Sequence, residues 1–151
     1  MTVANPISRD LQEFLCLLSQ HQVEFALCGG HAVAYHGYSR LTMDVDLLIL
    51  PGEENARRLG LALADFGFGE AEIPLSAFTR EGAAVSLGVQ PNQIDLLTSM
   101  SSQPTAEVIH NSVPALFVGV PIRIVAKADL LRAKRESGRP KDLADLHELS
   151  Q

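Results

Sequence analysis

The sequence predicts a single α/β domain over residues 1–151, with a small mixed β-sheet flanked by helices. Three observations support this fold class: apolar residues recur at helical spacing in several segments, short apolar runs end at Gly or Pro, and alternating segments fill the second half. A length of 151 residues suits one domain with one core. A composition of 46% hydrophobic and 20% charged residues is typical of a globular chain.

The first half of the sequence alternates predicted helices and strands. Ser8 is a suitable N-cap for a helix with apolar residues at helical spacing, and Gly29-Gly30 and Pro51-Gly52 each follow an apolar run. The third helix begins with acidic residues, as the polarity of a helix favours. The predicted elements are a helix over 9–21, a strand over 23–28, a helical turn or two over 31–36, a strand over 44–50 and a helix over 53–66.

Shorter segments follow Gly67 in the second half. Gly138 is well placed to end one helix, and Pro140 is an accepted residue in the first turn of the next. The predicted elements are antiparallel strands over 83–89 and 93–98, a short helix over 104–110, a hairpin of 115–118 and 122–125 around Gly119, a helix over 126–137 and a last helix from Pro140 onwards.

Composition and charge argue against several classes of protein. No run approaches the 18 or more apolar residues of a membrane span, and residues 1–10 lack the apolar region of a signal peptide, so a cytoplasmic location is expected. Cys16 and Cys28 lie in apolar contexts, which favours two buried free thiols over a disulfide. A net charge of −6 argues against a protein that coats nucleic acid.

Two aspartates, Asp44 and Asp46, lead into the apolar strand predicted over 44–50. Side chains at i and i+2 of a strand point to the same face, so these carboxylates lie close together and repel. A third carboxylate, Asp95, sits inside the apolar strand predicted over 93–98. If the two strands are neighbours, the three carboxylates converge and can hold two metal ions, as phosphoryl or nucleotidyl transfer requires. Alone, each has a simpler interpretation as a turn or edge residue.

Gly29 and Gly30 form the second candidate feature. Glycines at a strand-to-helix turn let the backbone approach a ligand closely, although such a pair is often only a tight turn. Their position one short helix before the aspartates would place a phosphate beside a metal ion. His31 and His36 flank that helix, and we expect structural roles for both.

Positive charge gathers near the end of the sequence. Seven of the twelve Lys and Arg residues lie within 123–141, which suggests either contact with an anion or a solvated helix face. Lys127 and Lys134 are seven residues apart and so lie on nearly the same helix face. Their stems are expected at the rim of the core, where the ammonium groups either reach solvent or hold phosphate oxygens.

The combined pattern resembles a known group of enzymes. An apolar strand, Gly29-Gly30, a helix, Arg-x-Thr-x-Asp-x-Asp over 40–46, a second apolar strand and the later Asp95 are similar to the minimal nucleotidyltransferases of the polymerase-β superfamily. The sequence looks closest to the AbiEii-type branch, which includes toxins of toxin–antitoxin systems. The core of the resemblance covers about residues 20–98, and the segments 127–134 and 138–145 extend it.

This resemblance implies a nucleotidyltransferase-like fold and roles for particular residues. Asp44, Asp46 and Asp95 would be the catalytic carboxylates and the ligands of Mg²⁺, with two ions implied and Mn²⁺ as an alternative. Many members of the superfamily place Ser after the first glycine of the turn, whereas this sequence has Gly30, which leaves only backbone donors.

Further residues would bind the nucleotide or its phosphates. By the resemblance, the backbone of the glycine turn cradles the triphosphate. Arg40 and Thr42 precede the aspartates, where the Thr42 hydroxyl would orient a carboxylate or the two would be plain loop residues. The full set of candidate nucleotide- and phosphate-binding residues is Gly29, Gly30, Arg40, Thr42, Lys127 and Lys134.

The resemblance also implies an activity and its partners. We expect a Mg²⁺-dependent nucleotidyltransferase that uses an NTP such as ATP to modify an RNA or protein acceptor. As a component of a toxin–antitoxin system, it would have a cognate antitoxin or another partner protein. The alternative is a catalytically inactive module of the same fold that binds nucleotide or a partner. Three crowded carboxylates favour the enzyme, since a binding module has little need of them.

Overall fold

The computed structural model describes residues 6–37, 44–69, 73–89 and 93–151. Helices and strands alternate within these ranges, and a short 3₁₀ helix spans Leu75–Thr79. The helices are α1 (Pro6–Gln20), α2 (Gly29–Tyr35), α3 (Glu53–Phe66), α4 (Thr105–Asn111), α5 (Lys127–Ser137) and α6 (Pro140–Leu149). The strands are β1 (Phe25–Cys28), β2 (Val45–Ile49), β3 (Ala84–Leu87), β4 (Ile94–Leu97), β5 (Val113–Phe117) and β6 (Val120–Ile124).

The six strands form one mixed sheet in the order β3-β4-β2-β1-β6-β5. β2 pairs in parallel with β4, and β1 pairs in parallel with β6. The pairs β1–β2, β3–β4 and β5–β6 are antiparallel. This arrangement confirms the predicted fold class, including the antiparallel pair in the second half and the hairpin around Gly119. The 3₁₀ helix was not predicted.

Two central strands, β1 and β2, consist mostly of apolar residues, since they lie in the middle of the sheet. All four residues of β1 are buried, and four of the five residues of β2 are buried. Helices α1 and α3 pack together, with Phe14, Leu15 and Leu18 fully buried on α1. Each such side chain contributes roughly 1.5–3 kcal/mol by leaving water. The ring of Phe14 lies 5.1 Å from that of Phe66, which joins the end of α3 to the core.

A buried amide fastens α3 to the central strands. The Oδ1 atom of Asn55 accepts a hydrogen bond from the backbone N–H of Glu24 at 2.8 Å. Its Nδ2 atom donates to the carbonyls of Glu24 and Leu50, at 3.0 and 2.8 Å. Because all these groups lie at one end of β1 and β2, Asn55 sets the position of α3 against that end of the sheet.

Both cysteines are free, as predicted, but they differ in exposure. Cys28 is buried at the end of β1, whereas Cys16 is exposed on α1. The prediction that Cys16 is buried is therefore wrong, because its apolar sequence neighbours turn inward while Cys16 lies on the outer face of the helix.

Strand β5 forms one edge of the sheet, and part of it is exposed. Its Pro114 is exposed, and its Leu116 is 71% exposed. Gly138 ends α5 with a φ of 65°, a left-handed conformation that suits glycine, as the sequence predicted. No helix in the described ranges is long and apolar enough to cross a membrane.

Candidate active site

The strand register brings two of the predicted carboxylates together. Asp46 in β2 lies directly opposite Asp95 in β4, so their side chains share one face of the sheet. The same row continues on both sides, since Cys28 of β1 lies opposite Asp46 and Ser86 of β3 lies opposite Asp95. Four neighbouring strands therefore carry one row, Ser86–Asp95–Asp46–Cys28, with the two carboxylates at its centre.

The electrostatics of Asp46 follow from this arrangement. The pKa of Asp46 is raised to about 6, first by burial and then by the charge of Asp95, a hydrogen bond with Asp95 and the charge of Asp44. The positive charge of Lys141 acts in the opposite direction. Burial and the two neighbouring carboxyl groups therefore favour the protonated form of Asp46 in mildly acidic solution. Asp44, half-buried just before β2, adds a third negative charge beside the pair.

Gly29 has a specific reason to be glycine. A Cβ atom built at this position would lie 1.9 Å from Oδ2 of Asp46, so the carboxyl group occupies the space that any other side chain would need. The φ of Gly29 is 69°, a conformation that residues with a side chain rarely adopt. The turn was predicted to let the backbone approach a phosphate, whereas in the structure Gly29 makes room for the carboxyl group of Asp46. Phosphate binding by Gly29 and Gly30 stays a prediction.

Asp95 has two further partners that the sequence did not indicate. Ser86 Oγ donates a hydrogen bond to Asp95 Oδ1 at 2.7 Å, and Gln93 Nε2 donates to the same oxygen at 2.8 Å. Ser86 belongs to the neighbouring strand, so its contact depends on the pairing of β3 with β4. The Gln93 contact follows from i,i+2 spacing on one strand and was open to prediction.

Lys134 is the predicted residue whose position differs most from expectation. Its Nζ atom lies 2.9 Å from Asp142 Oδ1 and 3.1 Å from Asp145 Oδ2, and all three side chains are buried. The ammonium group was expected at the rim of a cleft. That expectation is wrong, because two carboxylates of α6 draw it inward between α5 and α6. Its contact with phosphate stays a prediction.

Three side chains donate hydrogen bonds to the carboxylate of Asp142. Burial alone would raise its pKa, but hydrogen bonds from Ser137, Lys134 and Arg139 outweigh that effect and hold the pKa at about 2. The bond from Arg139 Nε measures 2.8 Å. The sequence suggested only an ordinary first-turn residue at this position, because the buried lysine that it meets lies on another helix.

The other predicted site residues are dispersed or undescribed. Lys127 is exposed at the start of α5. Arg40 and Thr42 lie outside the described residues, so their predicted roles stay predictions. His36 Nε2 lies 2.8 Å from the carbonyl oxygen of Val125, which fits its expected structural role. The ring of His31 packs edge-on against that of Phe117 at 5.0 Å.

The resemblance implies a divalent cation, and the donor set fits one. No group of three or more His, Cys, Asp or Glu side chains in the described parts of the chain is gathered closely enough to hold a metal ion. However, Mg²⁺ usually takes only one or two carboxylates and keeps waters or substrate phosphates as its other ligands. The pair Asp46 and Asp95, with Asp44 close by, has this character, and the negative charges that raise the pKa of Asp46 also favour a cation at this position.

Comparison with known proteins places the fold. No known protein family and no curated protein matches the sequence. Among solved structures, ANT(2″)-Ia in complex with adenylyl-2″-tobramycin superposes with a TM-score of 0.56 at 15% identity, covering 95% of this chain and 86% of that chain. An antigenic nucleotidyltransferase-like protein from Paracoccidioides brasiliensis gives a TM-score of 0.50 at 13% identity, covering 95% of this chain and 74% of that chain. The protein therefore has a nucleotidyltransferase-like fold, as the sequence predicted.

Proposed function

We propose that the protein is a nucleotidyltransferase that transfers a nucleotidyl group from an NTP to a hydroxyl group of an acceptor. The observation that carries this proposal is the register of β2 and β4, which sets Asp46 directly beside Asp95 on one face of the sheet. Carboxyl groups placed side by side repel each other and cost stability, so we attribute their presence to chemistry rather than to packing.

In the proposed reaction, the acceptor oxygen forms a bond to the α-phosphorus while the bond from that phosphorus to the bridging oxygen breaks and pyrophosphate leaves. Asp95 takes the proton of the attacking hydroxyl group as general base. Asp44 and Asp46 would help to hold a divalent cation, which would supply positive charge to the phosphates. Catalysis of this kind consists mostly of positioning and of neutralising charge, and carboxylates fixed on neighbouring strands would position the cation that neutralises it.

Asp46 and Asp95, with Asp44 close by, would hold Mg²⁺, with Mn²⁺ as an alternative. When bound, the cation neutralises the negative charge of the phosphates and lowers the pKa of the attacking hydroxyl group. We further propose that the glycine turn, Gly29 and Gly30, lies beside the triphosphate.

The acceptor is the least defined part of the proposal. ANT(2″)-Ia, a protein of similar fold, was solved with an adenylylated aminoglycoside. By analogy of fold, a hydroxyl group is the expected nucleophile here, carried by RNA or by a protein. Membership of the AbiEii-type branch, a toxin–antitoxin role and a cognate antitoxin stay proposals that rest on the sequence resemblance.

The proposal can be tested by labelling. The protein is incubated with each α-³²P-labelled NTP, Mg²⁺ or Mn²⁺, and total cellular RNA or protein, and transfer of label is measured. We expect transfer by the wild type, and a loss of about 10³-fold or more in Asp46→Asn and Asp95→Asn. Asp10→Asn changes an exposed carboxylate on α1 and serves as the matched control.

Two outcomes would count against transfer. Label that moves equally well with Asp46→Asn would assign the activity to a contaminant. Tight NTP binding by the wild type without transfer to any acceptor would favour the alternative, an inactive module that binds nucleotide or a partner protein. The same assay thus separates the enzyme from the module.

A further inference from the structure

Two side chains donate hydrogen bonds to the same oxygen of the Asp95 carboxylate. Oδ1 accepts from Ser86 Oγ at 2.7 Å and from Gln93 Nε2 at 2.8 Å. Gln93 Nε2 also lies 3.4 Å from Ser86 Oγ, which closes the three side chains into a small cluster. On the opposite side, Asp95 faces Asp46 across the β2–β4 pair.

The direction of each hydrogen bond in this cluster is fixed. Ser86 has a single hydroxyl hydrogen, which it donates to Asp95, and its oxygen is then free to accept from Gln93. The amide of Gln93 must present its NH₂ group to the carboxylate, because the flipped amide would set oxygen against oxygen. Two donors therefore hold Oδ1 in place, and the second oxygen of Asp95 is directed by the planar carboxylate.

We propose that Ser86 and Gln93 are positioning residues that fix the orientation of the Asp95 carboxylate beside Asp46. The pair of aspartates then meets a divalent cation with its oxygens already arranged. This inference rests on the proposed function, because it concerns how the same site is organised before the cation and the nucleotide bind.

The physical need for such positioning follows from the crowding of negative charge. The terminal torsion of an aspartate is broad, so an unrestrained carboxylate rotates easily. When Asp44 and Asp46 are ionised, repulsion favours a rotation of Asp95 away from them. Hydrogen bonds to ionised groups are the stronger kind, so two of them oppose this rotation. Partners that orient metal-binding carboxylates typically change metal affinity or activity by about 10–100-fold when they are removed.

The experiment measures Mn²⁺ affinity by electron paramagnetic resonance, together with the melting temperature of the metal-free protein. Ser86→Ala and Gln93→Met should each weaken Mn²⁺ binding by about 10-fold or more. The melting temperature should change little, because Ser86 is exposed on an outer strand. Ser86→Thr keeps the hydroxyl group on a β-branched side chain that suits a strand, and it should restore most of the affinity.

The matched control is a serine with the same kind of partner elsewhere. Ser102 Oγ donates to Glu136 Oε2 at 3.0 Å, and both side chains are exposed. Ser102→Ala therefore removes a serine–carboxylate hydrogen bond without touching the aspartates, and it should leave Mn²⁺ affinity unchanged.

A double-variant cycle separates positioning from a general effect on the strand. In an Asp95→Asn background, Ser86→Ala should cause no additional loss of Mn²⁺ affinity, because its effect passes through Asp95. Wild-type affinity in both Ser86→Ala and Gln93→Met, with a clear loss in Asp95→Asn, would overturn the positioning role and leave the proposed function standing. A wild-type protein that neither binds Mn²⁺ nor transfers nucleotide would overturn both.

Discussion

Two pairs of carboxylates in this protein, one buried and one half-buried, have opposite surroundings. Asp142 and Asp145 on α6 surround the ammonium group of Lys134 at 2.9 and 3.1 Å. Asp46 and Asp95, on neighbouring strands, face each other instead. The pKa of Asp142 is held at about 2, whereas the pKa of Asp46 is raised to about 6. The first pair has the ammonium group of Lys134 between its carboxylates, whereas the charge of the exposed Lys141 acts on Asp46.

This difference separates a structural ion cluster from a site open to a ligand. Where the positive charge belongs to the chain, the carboxylates are satisfied and fasten α5 to α6. At Asp46 and Asp95 the neighbouring negative charges repel each other, and an external cation or a proton relieves this repulsion. The position of a lysine in the sequence is therefore no evidence of phosphate binding by itself. Lys134 is a predicted phosphate-binding residue, but its ammonium group is buried between two carboxylates.

The largest expected effect comes from removing the lysine that lies between Asp142 and Asp145. Lys134→Ala leaves Asp142 and Asp145 buried without their ammonium partner, which should cost about 3–4 kcal/mol of unfolding free energy. For a chain of this size the melting temperature should fall by roughly 6–16 °C, measured by differential scanning calorimetry. Lys127→Ala, on the exposed face of the same helix, is the control and should stay within about 0.5 kcal/mol of wild type. Equal, small losses would mean that the cluster contributes little.

The next effect concerns the contact between Gly29 and Asp46. Gly29→Ala adds a Cβ where Asp46 Oδ2 lies, at a φ of 69°, and should destabilise the protein by about 2–3 kcal/mol while abolishing metal-dependent binding of NTP. Gly138→Ala is closely matched, since its φ is 65° but nothing lies within 4 Å of the added Cβ. It should show only the backbone part, about 1–2 kcal/mol, with NTP binding intact. Identical behaviour of the two variants in both assays would show that Asp46 readily moves aside.

A smaller effect depends on pH. Because the pKa of Asp46 rises from 3.8 to about 6 on folding, native protein retains a proton between these values that the unfolded chain has lost. The stability that this proton contributes is complete below the lower value and disappears as the pH rises through about 6. Asp46→Asn should therefore gain stability relative to wild type as the pH rises through that window. We expect about 1 kcal/mol, reduced by solvent at this partly open site, or roughly 2–4 °C.

The measurement is the difference in melting temperature between variant and wild type across the pH range. Taking the difference removes the opposite contribution of Asp142, whose lowered pKa makes the protein less stable in acid. Asp46→Asn should also lose the added stability that Mg²⁺ and NTP give the wild type, which is about 2.7 kcal/mol at 100 times the dissociation constant. A variant that kept the full ligand-dependent shift would argue against metal binding by Asp46.

The smallest expected effect concerns the positive charge of Lys141. Lys141 is exposed, and its charge lowers the pKa of Asp46. Lys141→Ala should move the midpoint of the pH-dependent stability change upward. Salt at about 1 M should remove most of the difference between variant and wild type, since exposed charges are then screened within about 3 Å. A midpoint that did not respond to the substitution at low salt would place Lys141 outside the field of the aspartates.

Much of the fold could be predicted because its signals are local. The helices and strands follow from hydrophobic spacing, from glycine and proline at their ends, and from the first-turn proline of α6. The proximity of Asp46 and Asp95 was a conditional prediction, which needed only that β2 and β4 be neighbours.

The features that sequence analysis missed depend on contacts between distant segments. The hydrogen bond from Ser86 requires the β3–β4 register, and the burial of Lys134 requires two carboxylates from the following helix. The exposure of Cys16 was missed for a different reason, because apolar neighbours in sequence were given more weight than the face of the helix on which the residue lies. The residue type at each position can be taken from the sequence, but the residue that it contacts depends on how distant segments pack together.

The edge strand β5 bears on how the protein behaves when it is concentrated. Its sequence, Val-Pro-Ala-Leu-Phe, carries no charge, and Leu116 is exposed, features that invite a second molecule to extend the sheet into a growing polymer. Pro114 has no N–H group, so the row of donors along that strand is interrupted. The proline therefore opposes the addition of a further strand at this uncharged edge of the sheet. Exchanging it for a residue with an N–H group, as in Pro114→Thr, would leave the fold intact and make the protein prone to aggregate.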